Sequence, residues 1–186
     1  MKTFRLACLA LGFTAFAGTA QAQLVVQGKG DATLCYRYAL TGNKGSNSAI
    51  ETCSDAFSTA MSRNDEAATY VNRGILYMRK GNQVRAAKDY ESALAIKPNL
   101  TEAHVNYAAS LIRLQKYDAA ISSLDKALVD PDSPTRPEAL FNRAIILDHQ
   151  QNYKAAYYDL KAALTLRPEW EPAVAMISRY QVRPAG

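Results

Sequence analysis

The sequence predicts an all-α protein: a solenoid of three regular helix-turn-helix units, with a degenerate helix pair in front and a capping helix behind. Three observations carry this expectation. One pattern occurs three times between Ala67 and Trp170, each copy places two alanines seven residues apart, and a proline follows each copy. The first copy reads Asn72-Arg73-Gly74-x-x-Tyr77, then Ala86-x-x-x-Tyr90-x-x-Ala93, then Pro98. It returns as Asn106-Tyr107-Ala108-x-x-Leu111, Ala120-x-x-x-Leu124-x-x-Ala127 and Pro131, and as Asn142-Arg143-Ala144-x-x-Leu147, Ala156-x-x-x-Leu160-x-x-Ala163 and Pro168. Gly74 to Ala108 is 34 residues and Ala108 to Ala144 is 36. Such a period means stacked helix pairs, each contacting its neighbours, rather than one closed core.

The chain divides accordingly. Lys2 and Arg5, the apolar run Leu6–Phe16 and Ala20-Gln21-Ala22 read as a secretory signal, with cleavage expected after Ala22. The apolar run is shorter than the roughly 20 residues needed to span a membrane, and no later segment is apolar enough to span. The expected site is periplasmic or secreted. The formal charge of +5 falls to +3 without Lys2 and Arg5, and the remaining basic residues are interspersed with Asp and Glu. No basic run marks a nucleic-acid footprint.

Residues 23–30 are polar and glycine-containing and read as a flexible leader. Residues 31–64 read as the degenerate pair, because Ala49-x-x-x-Cys53-x-x-Ala56 copies the spacing of the later second helices. With Cys8 in the signal, Cys35 and Cys53 remain for an oxidising compartment, and a structural disulfide is the favoured reading over a redox or nucleophilic thiol. Such a bridge would stabilise the fold by about 3 kcal/mol on chain-entropy grounds.

The regular units are expected at 67–100, 101–136 and 137–170. In each, the first helix carries a small residue (Gly74, Ala108 or Ala144) where a partner helix crosses closely. The second helix carries two alanines on one face, with Tyr90, Leu124 or Leu160 between them filling the space. Gly81-Asn82, Gln115-Lys116 and Gln151-Asn152 turn the chain inside each unit, and Pro98, Pro131 and Pro168 are expected to stop the second helices. Residues 171–183 are expected to form the cap that a terminal repeat needs, with Trp170, the only tryptophan, packed beneath it.

Two features distinguish this array. Arg73 is followed 16 residues later by Asp89, and Arg143 by Asp159, whereas the middle unit has Tyr107 and Ser123. Joint presence and joint absence suggest ion pairs bridging the helices of a unit. The second feature is the row Asn72, Asn106 and Asn142, each two residues before the small residue of its first helix.

The spacing Gly74-x-x-Tyr77, Ala86-x-x-x-Tyr90, Ala93 and Pro98 resembles the tetratricopeptide repeat family, strongly over 67–170 and weakly over 31–64 and 171–183. The resemblance implies a right-handed solenoid and a protein-interaction scaffold whose concave groove is lined by the first helices. It puts Asn72, Asn106 and Asn142 on that groove, where amides either pair with a peptide backbone or satisfy neighbouring helix ends. Val71, Ile75, Met78, Arg79, Val105, Ile112, Arg113, Phe141, Ile145, Asp148 and His149 should share the face. The basic residues of the related carboxylate clamp are replaced by Ala68, Glu102 and Glu138.

His104 and His149 are the only histidines and neither lies in a metal-ligand or catalytic motif. The expectation is therefore a non-enzyme with no cofactor and no catalytic or metal residues. Its partner would be another protein or peptide held in the groove, or, alternatively, an envelope complex joined through the convex face or edges. The sequence leaves the partner's identity and the oligomeric state undetermined.

Overall fold

A computed structural model describes residues 24–26, 30–41 and 45–180. The expected signal segment 1–22, most of the leader and residues 181–183 of the expected cap lie outside them. The described residues form α-helices joined by turns, with no strand. The helices are α1 (Asp31–Leu40), α2 (Asn47–Asp55), α3 (Arg63–Arg79), α4 (Gln83–Ile96), α5 (Thr101–Arg113), α6 (Tyr117–Ala127), α7 (Arg136–His149), α8 (Tyr153–Leu166) and α9 (Glu171–Ile177).

Local chemistry sets most boundaries. The Ser62 hydroxyl accepts from the Asp65 amide at 3.1 Å, so α3 starts at Arg63, ahead of the expected Ala67. Inside the three regular pairs, Gly81, Gln115 and Gln151 all have left-handed backbone, with φ of 82°, 58° and 61°. The next amide then reaches back to the carbonyl of Tyr77, Leu111 or Leu147 at 2.8, 2.9 or 2.8 Å, closing the helix C-terminus. Asn82 and Asn152 also cap the following helices.

Two expected boundaries move. Pro131 does not stop α6, which ends earlier at Ala127. Its last carbonyls are taken up by Arg136, whose Nη1 donates to Leu128 O at 2.9 Å and lies 3.4 Å from Asp130 O. Ser133 and Thr135, both buried, then pin the connection, since Ser133 Oγ donates to Thr101 Oγ1 at 3.2 Å. The C-terminal helix is also shorter than expected, ending at Ile177. Beyond it Tyr180 is buried and its hydroxyl donates to Asp148 at 2.6 Å. Trp170 starts α9 and stacks on Phe141, with ring centroids 4.9 Å apart.

The helices pack as antiparallel pairs, α3 with α4, α5 with α6 and α7 with α8. The first helices also touch one another, α3 with α5 and α5 with α7, which puts them on the inner side of the array. In front, α1 and α2 are joined by the Cys35–Cys53 disulfide, and both cysteines are fully buried. No helix among the described residues is long and apolar enough to cross a membrane.

The small residues sit where the helices of a pair cross. A Cβ on Gly74 would lie 2.6 Å from Tyr90 Cε1 and 2.8 Å from Cζ, and Tyr90 is fully buried. The other two pairs carry fully buried Leu124 and Leu160, in one apolar cluster with Ala108 and Ala144. The glycine thus matches the larger tyrosine, and one methyl fewer on α3 accommodates one ring more on α4.

Two arginines cross-link the array. Arg73 Nε and Nη2 donate to Asp89 at 2.8 and 2.7 Å, and Nη1 reaches Ser54 of α2 at 3.1 Å. Its guanidinium lies 4.8 Å from the Phe57 ring centroid. Arg143 makes the same fork to Asp159, at 2.7 and 2.9 Å, and reaches Asp125 of α6 at 3.4 Å. Burial pushes the Asp89 carboxyl up, against the pull of Arg73. Burial also pulls the Arg73 guanidinium down, yet its hydrogen bonds to and the charge of Asp89 carry it above its ordinary value. In the middle pair Tyr107 donates to Glu91 of α4 and Ser123 Oγ donates to the His104 carbonyl at 3.0 Å. Every first helix therefore ties to the preceding second helix, through Ser54, Glu91 or Asp125.

Two outcomes follow from this packing. Gly74→Ala gains about 1 kcal/mol of helix propensity but overpacks a closed site, a cost of about 1–3 kcal/mol. It should lower the thermal midpoint, and adding Tyr90→Leu should restore it; a Gly74→Ala protein as stable as the parent would refute the crossing account. Asp89→Ala strands Arg73 and should cost about 3 kcal/mol. Asp125→Ala removes a long contact from an exposed carboxylate and should cost under about 0.5 kcal/mol, both read by denaturant melts.

Candidate functional site: the inner face

The inner face is built by α3, α5 and α7, and the three asparagines stand on it one per helix. They are not displayed in an open groove. Asn72, Asn106 and Asn142 are 0%, 2% and 1% exposed. Ile75 and Phe141, expected to line the groove, are also buried, and so are Val71, Met78, Val105, Ile112 and Ile145. The reason is the contact of each first helix with the next, which turns much of the expected groove wall into core. Phe141 is further committed to Trp170.

The charged residues of the face divide. Arg79 is half-buried and its Nη1 lies 3.4 Å from Tyr38 O of α1, which it donates to. Burial lowers its pKa below the ordinary arginine value. Arg113 and His149 are exposed at the ends of α5 and α7. His149 stacks against Tyr117, with ring centroids 4.4 Å apart. Asp148 accepts from Tyr180 and pairs with Arg179 at 3.6 Å. Glu138 is buried and pairs with Arg167 at 2.6 Å, so this former clamp position is neutralised within the fold.

Two observations were invisible in the repeat pattern. First, the leader reaches the face: Asn72 Nδ2 donates to the Leu24 carbonyl at 3.1 Å. Leu24 packs against the apolar cluster containing Val71, Ile75, Ala103 and Ala109, while Val25 is 66% exposed and Val26 is 6% exposed. An open pocket of about 440 Å³ lies beside Leu24 and Val25, against Asp65, Ala68 and Leu100. Second, several buried polar atoms of the face have no hydrogen-bond partner: Asn72 Oδ1, Ser110 Oγ, and both Asn142 Nδ2 and Oδ1. Each unmade bond costs about 1–3 kcal/mol. The reading of 23–30 as a flexible leader gave no hint of the first.

The described residues contain no group of three or more His, Cys, Asp or Glu that could hold a metal. His104 sits at the seam between the first two regular pairs. Its Nε2 donates to the Pro98 carbonyl at 2.7 Å, and Nδ1 is 3.2 Å from Ser123 Oγ. Burial, aided by Lys126, holds the imidazole below its usual 6.5, although the Pro98 bond pulls the other way. The unfolded chain then binds this proton more tightly than the folded one. Stability from His104 is complete above about pH 6.5 and is lost as pH falls through the lowered value. The thermal midpoint should therefore drop as pH falls below about 6.5, and His104→Asn should flatten that limb; an unchanged slope would exclude His104 as its source.

Comparison with known proteins agrees with this architecture. Family models described as tetratricopeptide repeat match residues 67–100 and 108–169, together more than half of the chain. Among solved structures, PilW, a widely conserved type IV pilus biogenesis factor, is 27% identical with a TM-score of 0.71, over 80% of this chain and 66% of that one. The chain thus spans just under two thirds of PilW. YrrB, a TPR protein with an unusual peptide-binding site, is 18% identical with a TM-score of 0.62, over 78% and 73%. The second TPR domain of human RPAP3, in complex with the HSP70 peptide SGPTIEEVD, is 23% identical with a TM-score of 0.57, over 63% and 97%. The last two share the fold. With its helix pairs, its small-against-large crossings and these matches, the chain belongs to the tetratricopeptide repeat family.

Proposed function

We propose that this protein is a non-catalytic interaction scaffold of the cell envelope that binds a peptide or partner helix on its concave face. One observation carries the reading: the Asn72 amide donates to the backbone carbonyl of a segment lying on that face. An amide there recognises main chain, which every peptide offers. The likeness to PilW, a pilus biogenesis factor, the signal expected at 1–22 and the Cys35–Cys53 disulfide support an envelope location, since disulfides persist in oxidising compartments. The groove contacts would be Asn72, reached where Leu24 now lies, with Arg79, Arg113 and His149 at the rim, while Asn106, Asn142, Ile75 and Phe141 support the face from the core beneath it.

A second reading has its own observation. Val84, Val129, Tyr158 and Leu166 are 65%, 81%, 47% and 51% exposed, on or just after the second helices. They would suit a structural subunit joined through the outer side. Photo-crosslinkers placed in intact cells at Arg113 and His149, and separately at Val129 and Tyr158, separate the two. Groove binding predicts partner crosslinks from the first pair and at least tenfold fewer from the second; the reverse ratio would favour the outer surface.

A further inference from the structure

We propose that Leu24–Val26 is a built-in ligand of the concave face, and that the partner is an extended apolar segment that displaces it. This inference rests on the groove-binding reading and names the chemistry of what the groove takes.

The burial pattern is that of an extended chain lying on a surface. Leu24 is half-buried, Val25 is exposed and Val26 is buried, the alternation expected when successive side chains point to opposite sides. Leu24 packs on the cluster shared by α3 and α5, and its backbone, not its side chain, is held by Asn72. The face therefore already accepts an apolar strand by the means the asparagines offer.

The fit of this resident segment is incomplete. Asn72 donates through Nδ2, but its Oδ1 is buried without a donor. A strand that also presents an N–H would complete the amide. On α7, Asn142 also lacks a partner, but at 1% exposed it lies in the core, out of a ligand's reach. The competition is weighted toward the resident segment, since tethering gives it an effective concentration in the millimolar range. The partner must win through the hydrogen bond to Asn72 Oδ1 that the resident segment leaves unmade. The step is a displacement without covalent chemistry.

The test uses the purified protein and a fluorescein-labelled peptide with the sequence of residues 23–28, followed by fluorescence anisotropy. Leu24→Asp combined with Val26→Asp should vacate the face and bind the peptide at least tenfold more tightly than the parent protein. Adding Asn72→Ala should return the affinity at least tenfold toward the parent value. Far-UV circular dichroism verifies that each variant stays helical. Equal affinity of the parent and the vacated protein would overturn self-occupancy, and no binding to a helical vacated protein would overturn the apolar strand as the ligand class. If either occurs while crosslinks at Arg113 and His149 still capture a partner, this inference falls and the groove-binding reading stands. If those crosslinks also vanish, both fall.

Discussion

The helix crossing within each pair is the constraint on which the rest of the array depends. A residue with little or no side chain on the first helix faces a large, fully buried one on the second: Gly74 with Tyr90, Ala108 with Leu124, Ala144 with Leu160. Interiors are packed close to crystal density, so volume gained on one side has to be removed on the other. The Gly74–Tyr90 crossing shows this most plainly, because the missing methyl is the space the tyrosine ring occupies. The same close approach lets α3 meet α5 and α5 meet α7, and so determines how much of the inner face is left open.

That closure changes what the asparagine row means. An exposed amide would be an ordinary surface group with water as its partner. A buried amide without a partner is a standing cost, and Asn142 carries two such atoms. Asn72 carries one and spends the other half of its amide on Leu24. These residues therefore contribute less to holding the array together than the apolar core around them. The fold itself assigns no partner, because one repeat architecture serves many functions.

Lateral ties between repeats come from a different set of residues. The first and third regular pairs use an Arg–Asp fork, and the same arginine also reaches the preceding second helix, at Ser54 for Arg73 and at Asp125 for Arg143. The middle pair dispenses with the charges. Tyr107 reaches Glu91, and its phenol is pushed up to about 12 by burial and by that carboxylate, while His104, Ser123 and Pro98 join the seam. Neutral and charged solutions thus do the same job at equivalent places. The disulfide between α1 and α2 plays the matching part at the front, where a terminal pair has a neighbour on one side only.

The sequence by itself determined the helical class, the period, the small and large crossing residues and the Arg–Asp spacing, because each rests on local periodicity or on residues at a fixed offset within one pair. Gly74, Tyr90, Arg73 and Asp89 were legible for that reason. Helix ends were less so: Pro131 stands well after the last turn of α6, and the cap of α3 at Ser62 precedes the repeat motif. Only the tertiary structure decided the depth of Asn72, Asn106 and Asn142, the loss of Ile75 and Phe141 to the core, and the placing of Leu24 on Asn72. Those outcomes depend on how closely helices 34 and 36 residues apart in sequence approach in space, and on a contact spanning 48 residues. No repeat motif encodes such a distance, since burial is set by all the neighbours that share a face.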